Sequence, residues 1–240
     1  KNHKSKENKM REQTIGEIVS ANIRTANVFK KHGLDFCCGG GEKLEIACEN
    51  KGTDLDAIMA DLELVINSEK STLDYQSMPL DKLVDYIFEE HHKYIYGNGP
   101  ITGEFINKVA RVHGERHPET IEVAKLYNEL MQDLHQHMMK EEQILFPYIS
   151  QMVQNSSANG AFVNGPISMM IAEHDTAGDI LKKMSDLSNG YEPPADGCNT
   201  YRAAYANLKA MEDDIHLHIH LENNILFPKA LELEESLLGS

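Results

Sequence analysis

The sequence contains two copies of nearly the same segment. HMMKEEQILFP begins at His137, and HIHLENNILFP begins at His218, 81 positions later. Each copy opens with a histidine, places a glutamate four residues on and ends in ILFP. A repeat of this kind indicates a fold that is built from two similar units.

Aligning the two copies on ILFP separates the shared residues from the accidental ones. The first glutamate, Glu141, matches Glu222, whereas the next residue, Glu142, matches Asn223. Only the first glutamate is therefore a candidate for a shared function. Residues four apart on an α-helix point in nearly the same direction, so each shared glutamate can act together with the histidine four residues before it.

The histidines need a choice, because the helix that carries the second copy contains three of them. His218 matches His137, whereas His216 and His220 form a competing pair with no equivalent in the first copy. We therefore select His137 and His218. A single HxxxE is usually an ordinary polar pair on a helix, and it is the duplication that favours a metal site.

Two further histidines come from segments upstream of each copy. EEHHKY contains His91 and His92, and AEHDTA contains His174. His92 lies 49 residues before the first shared glutamate and His174 lies 48 residues before the second. His91 corresponds to Glu173, so we choose His92, and we expect Glu173 to be solvated or to line an access path. The predicted metal site has six side chains: His92, His137, Glu141, His174, His218 and Glu222.

This donor set predicts a reactive metal site rather than a structural one. Imidazole nitrogen and carboxylate oxygen suit iron, manganese or zinc, and the absence of nearby thiolates disfavours structural zinc. Two bridging glutamates and four histidines leave two metals under-coordinated. An oxo or hydroxo bridge and a small ligand can fill the open positions, which indicates function.

Apolar residues recur at intervals of three and four along most of the chain, which predicts an all-α protein. TIGEIVSANIRTANVFKKHG predicts one amphipathic helix, from a capping box at Thr14 and Glu17 to a stop at Gly33. Short helices follow over residues 43–50 and from residue 53 or 54. We predict a small helical domain over residues 11–70 and a linker over 71–79.

Four long helices are predicted over about residues 80–113, 118–152, 166–187 and 198–233, with a kink or break at GNGP, residues 97–100. Their connections favour an up-down-up-down four-helix bundle over residues 80–235. The repeated LFP supplies predicted core residues: Leu145, Phe146, Leu226 and Phe227.

The negative charge of the chain disfavours negatively charged partners. A net charge of −15 over 240 residues disfavours nucleic acid and anionic membranes, because both would repel it. No apolar run approaches the roughly 20 residues that span a bilayer. The first ten residues, KNHKSKENKM, are polar and lack the apolar region of a secretory signal, so we expect a cytoplasmic protein.

Four cysteines are too few for a disulfide framework. Cys37 and Cys38 are adjacent in DFCCGGG, where a disulfide would be strained. They can be thiols of low pKa that bind iron, nitric oxide or a partner's cluster, or simply two small buried residues at a helix junction. Cys48 and Cys198 are predicted to be structural.

The combination of DFCCGGG, HMMKEEQILFP, GPISMMIAEHD and HLENNILFP resembles the iron–sulfur cluster repair di-iron proteins, the repair of iron centres group with a hemerythrin-like domain. The resemblance covers residues 11–231. It implies an N-terminal domain with vicinal cysteines and a hemerythrin-like bundle. It also implies two non-haem iron ions, oxo- or hydroxo-bridged, that are held by the six residues chosen above.

The resemblance further implies that the chain repairs iron–sulfur clusters damaged by oxidative or nitrosative stress, by delivering iron or by handling nitric oxide. Damaged iron–sulfur proteins would be its partners, and we expect a homodimer. Two alternatives stay open: a di-iron oxidoreductase that acts on nitric oxide, nitrite or peroxide, and a protein that binds O2 or nitric oxide reversibly. The usual hemerythrin pattern carries a further histidine that cannot be placed here, which disfavours oxygen carriage.

Overall fold

A computed structural model describes residues 10–68, 73–155 and 162–238, without the side chain of residue 155. The start of the predicted linker, most of the loop NSSANGAFVNG and nearly all of KNHKSKENKM lie outside the described residues. None of the helices in the described ranges combines the length and the apolar character needed to cross a membrane.

The N-terminal region begins with α1 (Ile15–Ala21), whose first turn has the predicted capping box between Thr14 and Glu17. The prediction of one continuous helix here is wrong. Asn22 takes an extended conformation (φ −153°, ψ 99°), and its side chain accepts a hydrogen bond from the next turn. A 3₁₀ turn over Ile23–Thr25 and α2 (Ala26–Lys31) follow, so the amphipathic segment is divided at an asparagine that caps in both directions.

Two short helices complete this region, close to the predicted positions. They are α3 (Leu44–Lys51) and α4 (Leu55–Ile66). Gly52 ends α3 with φ 66°, and the Asp54 side chain accepts hydrogen bonds from the first turn of α4.

The remainder of the described chain forms four long helices. The first, α5, comprises Leu80–Tyr86, a π-helical segment Ile87–His92 and Lys93–His113. The second, α6, comprises Glu119–Lys140, a π-helical segment Glu141–Leu145 and Phe146–Asn155. The third, α7, is Asn164–Leu187. The fourth, α8, comprises Asn199–Leu221, a π-helical segment Glu222–Leu226 and Phe227–Leu238.

These four helices form the predicted bundle. Helix α5 packs against α6 and α8, α6 packs against α7, and α7 also contacts α8, so the helices close a ring around one interior. Of the predicted kink or break at residues 97–100, the break is wrong, because α5 continues through Pro100. Packing supports this turn: Gly99 is buried against α6, and its carbonyl accepts a hydrogen bond of 2.7 Å from the Tyr127 hydroxyl.

The core has two parts, one on each side of the predicted metal site. One joins the N-terminal helices to one end of the bundle, and the other fills the opposite end. The four LFP residues belong to the second part and are at most 4% exposed, as predicted: Leu145, Phe146, Leu226 and Phe227. Apolar packing on both sides therefore holds the interior of the bundle rigidly.

Candidate metal centre

Three bundle helices carry a π-helical segment in the described residues, and each segment includes a predicted ligand. His92 ends the segment in α5, whereas Glu141 and Glu222 begin the segments in α6 and α8. A π-helical turn adds a residue to the helix and redirects the side chains beside it, which is why such turns are frequent at functional sites.

A proline in each copy of the repeat is a sequence signal for two of these segments. Phe146 donates its backbone N–H to Glu141, and Phe227 donates to Glu222, five residues back in each case. Pro147 and Pro228 come next and have no N–H to donate, so the preceding turn has to rearrange. The repeated ILFP thus shapes the backbone at the shared glutamates.

The structure brings all six predicted side chains together in the middle of the bundle. They form two overlapping groups that share Glu141 and Glu222, and within each group the donor atoms lie within 4.8 Å of one another. His92 and His218 complete one group, and His137 and His174 complete the other. None of the six is more than 3% exposed.

Each imidazole turns its Nε2 atom toward the interior of the cluster. The Nε2 atoms of His92 and His218 are 3.2 Å apart, and those of His137 and His174 are 3.0 Å apart. Oε2 of Glu141 lies 3.4 Å from Nε2 of His92 and 3.3 Å from Nε2 of His137. Oε2 of Glu222 lies 3.1 Å from Nε2 of His174, and Oε1 of Glu222 lies 3.0 Å from Nε2 of His218. Four nitrogens and two carboxylates thus converge on one small volume.

The charges in this volume fit a bound cation. Neither oxygen of Glu141, nor Oε2 of Glu222, makes a hydrogen bond within the described residues. Burial alone would raise the pKa of Glu222, but the electrostatic influence of His218 and His174 together outweighs it and holds that pKa well below its usual value. Burial likewise opposes protonation of His137, yet the charge of Glu141 raises its pKa to about 9. Buried ionised carboxylates without hydrogen bonds are costly, and cations offset that cost.

Three of the four imidazoles are fixed from behind through Nδ1. His92 contacts Glu142 at 2.8 Å, His174 contacts Asn223 at 2.8 Å, and His137 contacts Glu173 at 2.8 Å. An acceptor at Nδ1 keeps the proton there and leaves the Nε2 lone pair for a metal. Glu173, predicted to be solvated or to line an access path, is 33% exposed and lines a cavity beside the cluster, and it also holds His137 and pairs with Lys140.

The fourth imidazole differs from the other three. Nδ1 of His218 is buried and has no hydrogen-bond partner among the described residues. The ring of His91 stacks on the ring of His218, with centroids 5.7 Å apart and an angle of 10° between the planes. Nδ1 of His91 contacts Asp214 at 2.9 Å. The two halves of the cluster therefore differ in how firmly their imidazoles are oriented.

The repeated phenylalanines pack on the upstream histidines. Phe146 stacks on His92 at 5.4 Å between centroids, and Phe227 stacks on His174 at 5.9 Å. The LFP motif thus positions two imidazoles in addition to filling the core.

A cavity of about 250 Å³ reaches one side of the cluster. Its lining includes His137 and His174 together with polar groups of α6 and α7, among them Asp133, Lys140 and Glu173. A small molecule or an ion can approach the cluster from this side.

The competing pair His216 and His220 faces away from the cluster. His220 contacts the carbonyl of Phe36 at 3.2 Å and the hydroxyl of Ser20 at 3.4 Å, and burial lowers its pKa to about 4. His216 lies edge-on to the ring of Phe36. These histidines contact the N-terminal region, and only His218 of the three joins the cluster.

The vicinal cysteines are free thiols beside the bundle. Their sulfur atoms are 3.9 Å apart, and Sγ of Cys38 lies 3.6 Å from the carbonyl of His174. Cys37 is not a thiol of low pKa, because its hydrogen bond with Cys38, its burial and the charge of Asp35 all raise its pKa well above the usual value.

The two remaining cysteines differ from each other. Cys48 is 2% exposed and fits the predicted structural role. Cys198 is exposed at the start of α8, with Sγ 3.2 Å from Nε2 of His113. The backbone N–H of Tyr201 and the side chain of His113 lower its pKa to about 7, so it is not the inert residue that the sequence suggested.

Comparison with known proteins gives matches to both parts of the chain. A family model described as hemerythrin HHE cation binding domain matches residues 83–230, and one described as a domain of unknown function, DUF542, matches residues 11–65. The iron-sulfur cluster repair protein YtfE of Yersinia pestis (strain Pestoides F) is 38% identical over 224 residues, which cover 93% of this chain and 99% of that protein. The protein of the same name from Yersinia pseudotuberculosis serotype IB (strain PB1/+) has the same identity and coverage.

Alkylation will test the environment of Cys198. Iodoacetamide reacts with the thiolate, so the rate at Cys198 should rise through a midpoint near pH 7, whereas an unperturbed thiol would respond near 9.0. His113→Ala should move the midpoint upward, and mass spectrometry should find the buried Cys48 unlabelled as an internal control. A midpoint near 9 in both the parent protein and the variant would contradict this environment.

Proposed function

Because this chain belongs to the family of iron–sulfur cluster repair proteins with a hemerythrin HHE cation binding domain, we propose that it restores iron–sulfur proteins damaged by oxidative or nitrosative stress. The observation that carries the proposal is the buried cluster of four inward-facing imidazoles around two carboxylates, of whose four oxygens three make no hydrogen bond within the described residues. Such a cluster needs cations, and iron is the cofactor that fits both the donor set and the family.

In this proposal the six residues hold two iron ions. Glu141 and Glu222 are shared between the ions, His92 and His218 serve one position, and His137 and His174 serve the other. When bound, iron supplies a redox-active cation that can be exchanged with the surroundings.

Residues behind the ligands set how tightly each position holds its iron. Glu142, Asn223 and Glu173 orient three imidazoles, and loss of such a partner typically weakens a metal site by roughly 10- to 100-fold. His218 has no such partner in the part of the chain that the structure describes. We therefore propose that the position served by His92 and His218 gives up its iron first, which suits a protein that delivers iron.

The targets of the proposed repair are damaged iron–sulfur proteins, and the small ligands are nitric oxide and O2. We propose that the protein acts as a homodimer in the cytoplasm. The four free cysteines support a reducing compartment.

A second candidate function is that of a di-iron oxidoreductase acting on nitric oxide, nitrite or peroxide. The cavity of about 250 Å³ beside His137 and His174 favours it, because a small substrate can reach the cluster there. Repeated turnover with a reductant would support this candidate, whereas reaction with no more than one equivalent would exclude it.

Reactivation of a damaged enzyme tests the repair function. An enzyme with an iron–sulfur cluster is inactivated with peroxide or nitric oxide and then incubated with the iron-loaded protein. Activity should return faster than with the same amount of ferrous salt when a mild chelator is present, because the protein shields the iron that it delivers. Equal recovery from salt and protein would argue against delivery.

Metal analysis tests the shared glutamates. Glu141→Gln keeps the size of the side chain but removes the charge shared by both groups, so the iron content should fall from two per chain to one or none. Glu129→Gln, on the exposed face of the same helix, should keep both ions. Retention of both ions in Glu141→Gln would exclude it as a bridge.

Iron removal by a chelator should show two phases. Glu142 and Asn223 are equivalent in the repeat and support opposite halves of the cluster. Glu142→Ala should accelerate the fast phase, and Asn223→Ala the slow phase, each by roughly 10-fold. A single phase in the parent protein, or acceleration of the same phase by both variants, would contradict the proposed difference.

A further inference from the structure

A second cavity, of about 480 Å³, lies between the cysteine loop and the bundle. Two lysines and a larger number of carboxylates line it, and one of the lysines, Lys182, pairs with Asp186 at 2.6 Å. The acidic residues are Asp35, Asp175, Asp179, Asp186 and Glu212, and the other lysine is Lys51. An excess of negative charge in a concave site raises the local concentration of cations.

Three donor atoms meet at the wall of this cavity. Sγ of Cys37, Sγ of Cys38 and a carboxylate oxygen of Asp35 lie within 4.8 Å of one another. Oδ1 of Asp35 is 3.2 Å from Sγ of Cys37 and also accepts the backbone N–H groups of both cysteines. Two sulfurs and one oxygen suit a thiophilic divalent cation such as Fe²⁺, Zn²⁺ or Co²⁺.

Glu212 provides an independent sign that this cavity takes a cation. It lies on α8, is only 6% exposed and lines the same cavity. One of its oxygens is 3.5 Å from Lys30, whereas Oε2 has no hydrogen-bond partner among the described residues. A buried carboxylate oxygen without a partner is costly, and a cation in the cavity would reduce that cost.

We propose that Asp35, Cys37 and Cys38 form a third metal site, the thiol site, which binds a thiophilic divalent cation entering through the acidic cavity. Binding forms two metal–sulfur bonds and releases the two thiol protons to solvent, with no change in oxidation state.

The thiol site lies against a helix of the six-residue cluster. Sγ of Cys38 is 3.6 Å from the carbonyl of His174, and a β-carbon added at Gly178, one turn further along α7, would lie 3.6 Å from the same sulfur. We therefore assign the thiol site the role of holding iron that enters or leaves the bundle. That role rests on the proposed function, whereas the existence of the site does not.

Titration of the iron-loaded protein with Co²⁺ tests the site. Cobalt bound to thiolate has a sulfur-to-metal charge-transfer absorption that imidazole and carboxylate ligands cannot give. The band should saturate at one Co²⁺ per chain, disappear in the Cys37→Ser/Cys38→Ser double variant and persist in Cys198→Ser. Asp35→Asn preserves the shape of the loop and should weaken binding by roughly 10-fold.

Absence of a sulfur band, or a band that survives in the double variant, would overturn the proposal. Loss of the band in Cys198→Ser would also overturn the proposal, because the sulfur ligand would then be Cys198, which contacts His113. If the double variant does not fold, iodoacetamide labelling of Cys38 in the parent protein replaces it as the test. Co²⁺ should protect Cys38 from labelling, and unchanged labelling would overturn the proposal. These readouts do not depend on repair activity, so a failed reactivation assay leaves them valid.

Discussion

Two glutamate side chains with no exposed surface lie together at the centre of the bundle, and most of the structure can be understood as a response to them. At about 4 Å and an effective dielectric constant near 20, two such charges repel by about 4 kcal/mol, and removing each from water costs more. Four imidazoles surround Glu141 and Glu222, and apolar layers close the bundle on both sides. Positive charge bound among these groups therefore stabilises the cluster, so bound metal would also stabilise the bundle.

The duplication explains both the symmetry of the centre and its one departure from symmetry. Phe146 and Phe227 stack on equivalent histidines, and Glu142 and Asn223 contact those same rings through Nδ1. The residues directly before the upstream histidine ligands are also equivalent in the repeat, but one is Glu173 and the other is His91. A glutamate can accept the Nδ1 proton of a neighbouring ligand, whereas His91 stacks on His218 and no described residue accepts a hydrogen bond from Nδ1 of His218.

Most of the candidate site could be predicted from the sequence, because a duplicated motif allows its invariant residues to be recognised. The helix positions, the core role of LFP and the convergence of six side chains follow from helical periodicity and spacing. The environment of Glu173 could not be predicted, since its partner His137 lies on another helix and sequence spacing gives no interhelical distance. The division at Asn22 and the continuity through Pro100 depended on a local cap and on tertiary packing, and both outweighed the local pattern.

Helix α8 lies between the six-residue cluster and the thiol site, and its side chains contact both. His218 and Glu222 face the cluster, whereas His220 and Asn224, two residues further in each case, face the cysteine loop. Asn224 donates a hydrogen bond of 3.1 Å to the carbonyl of Cys37, and it packs so closely on Gly16 that a β-carbon there would lie 2.6 Å from its oxygen. The π-helical segment that begins at Glu222 also contains Asn224, so a single turn of helix carries both a residue of the cluster and a contact to the cysteine loop.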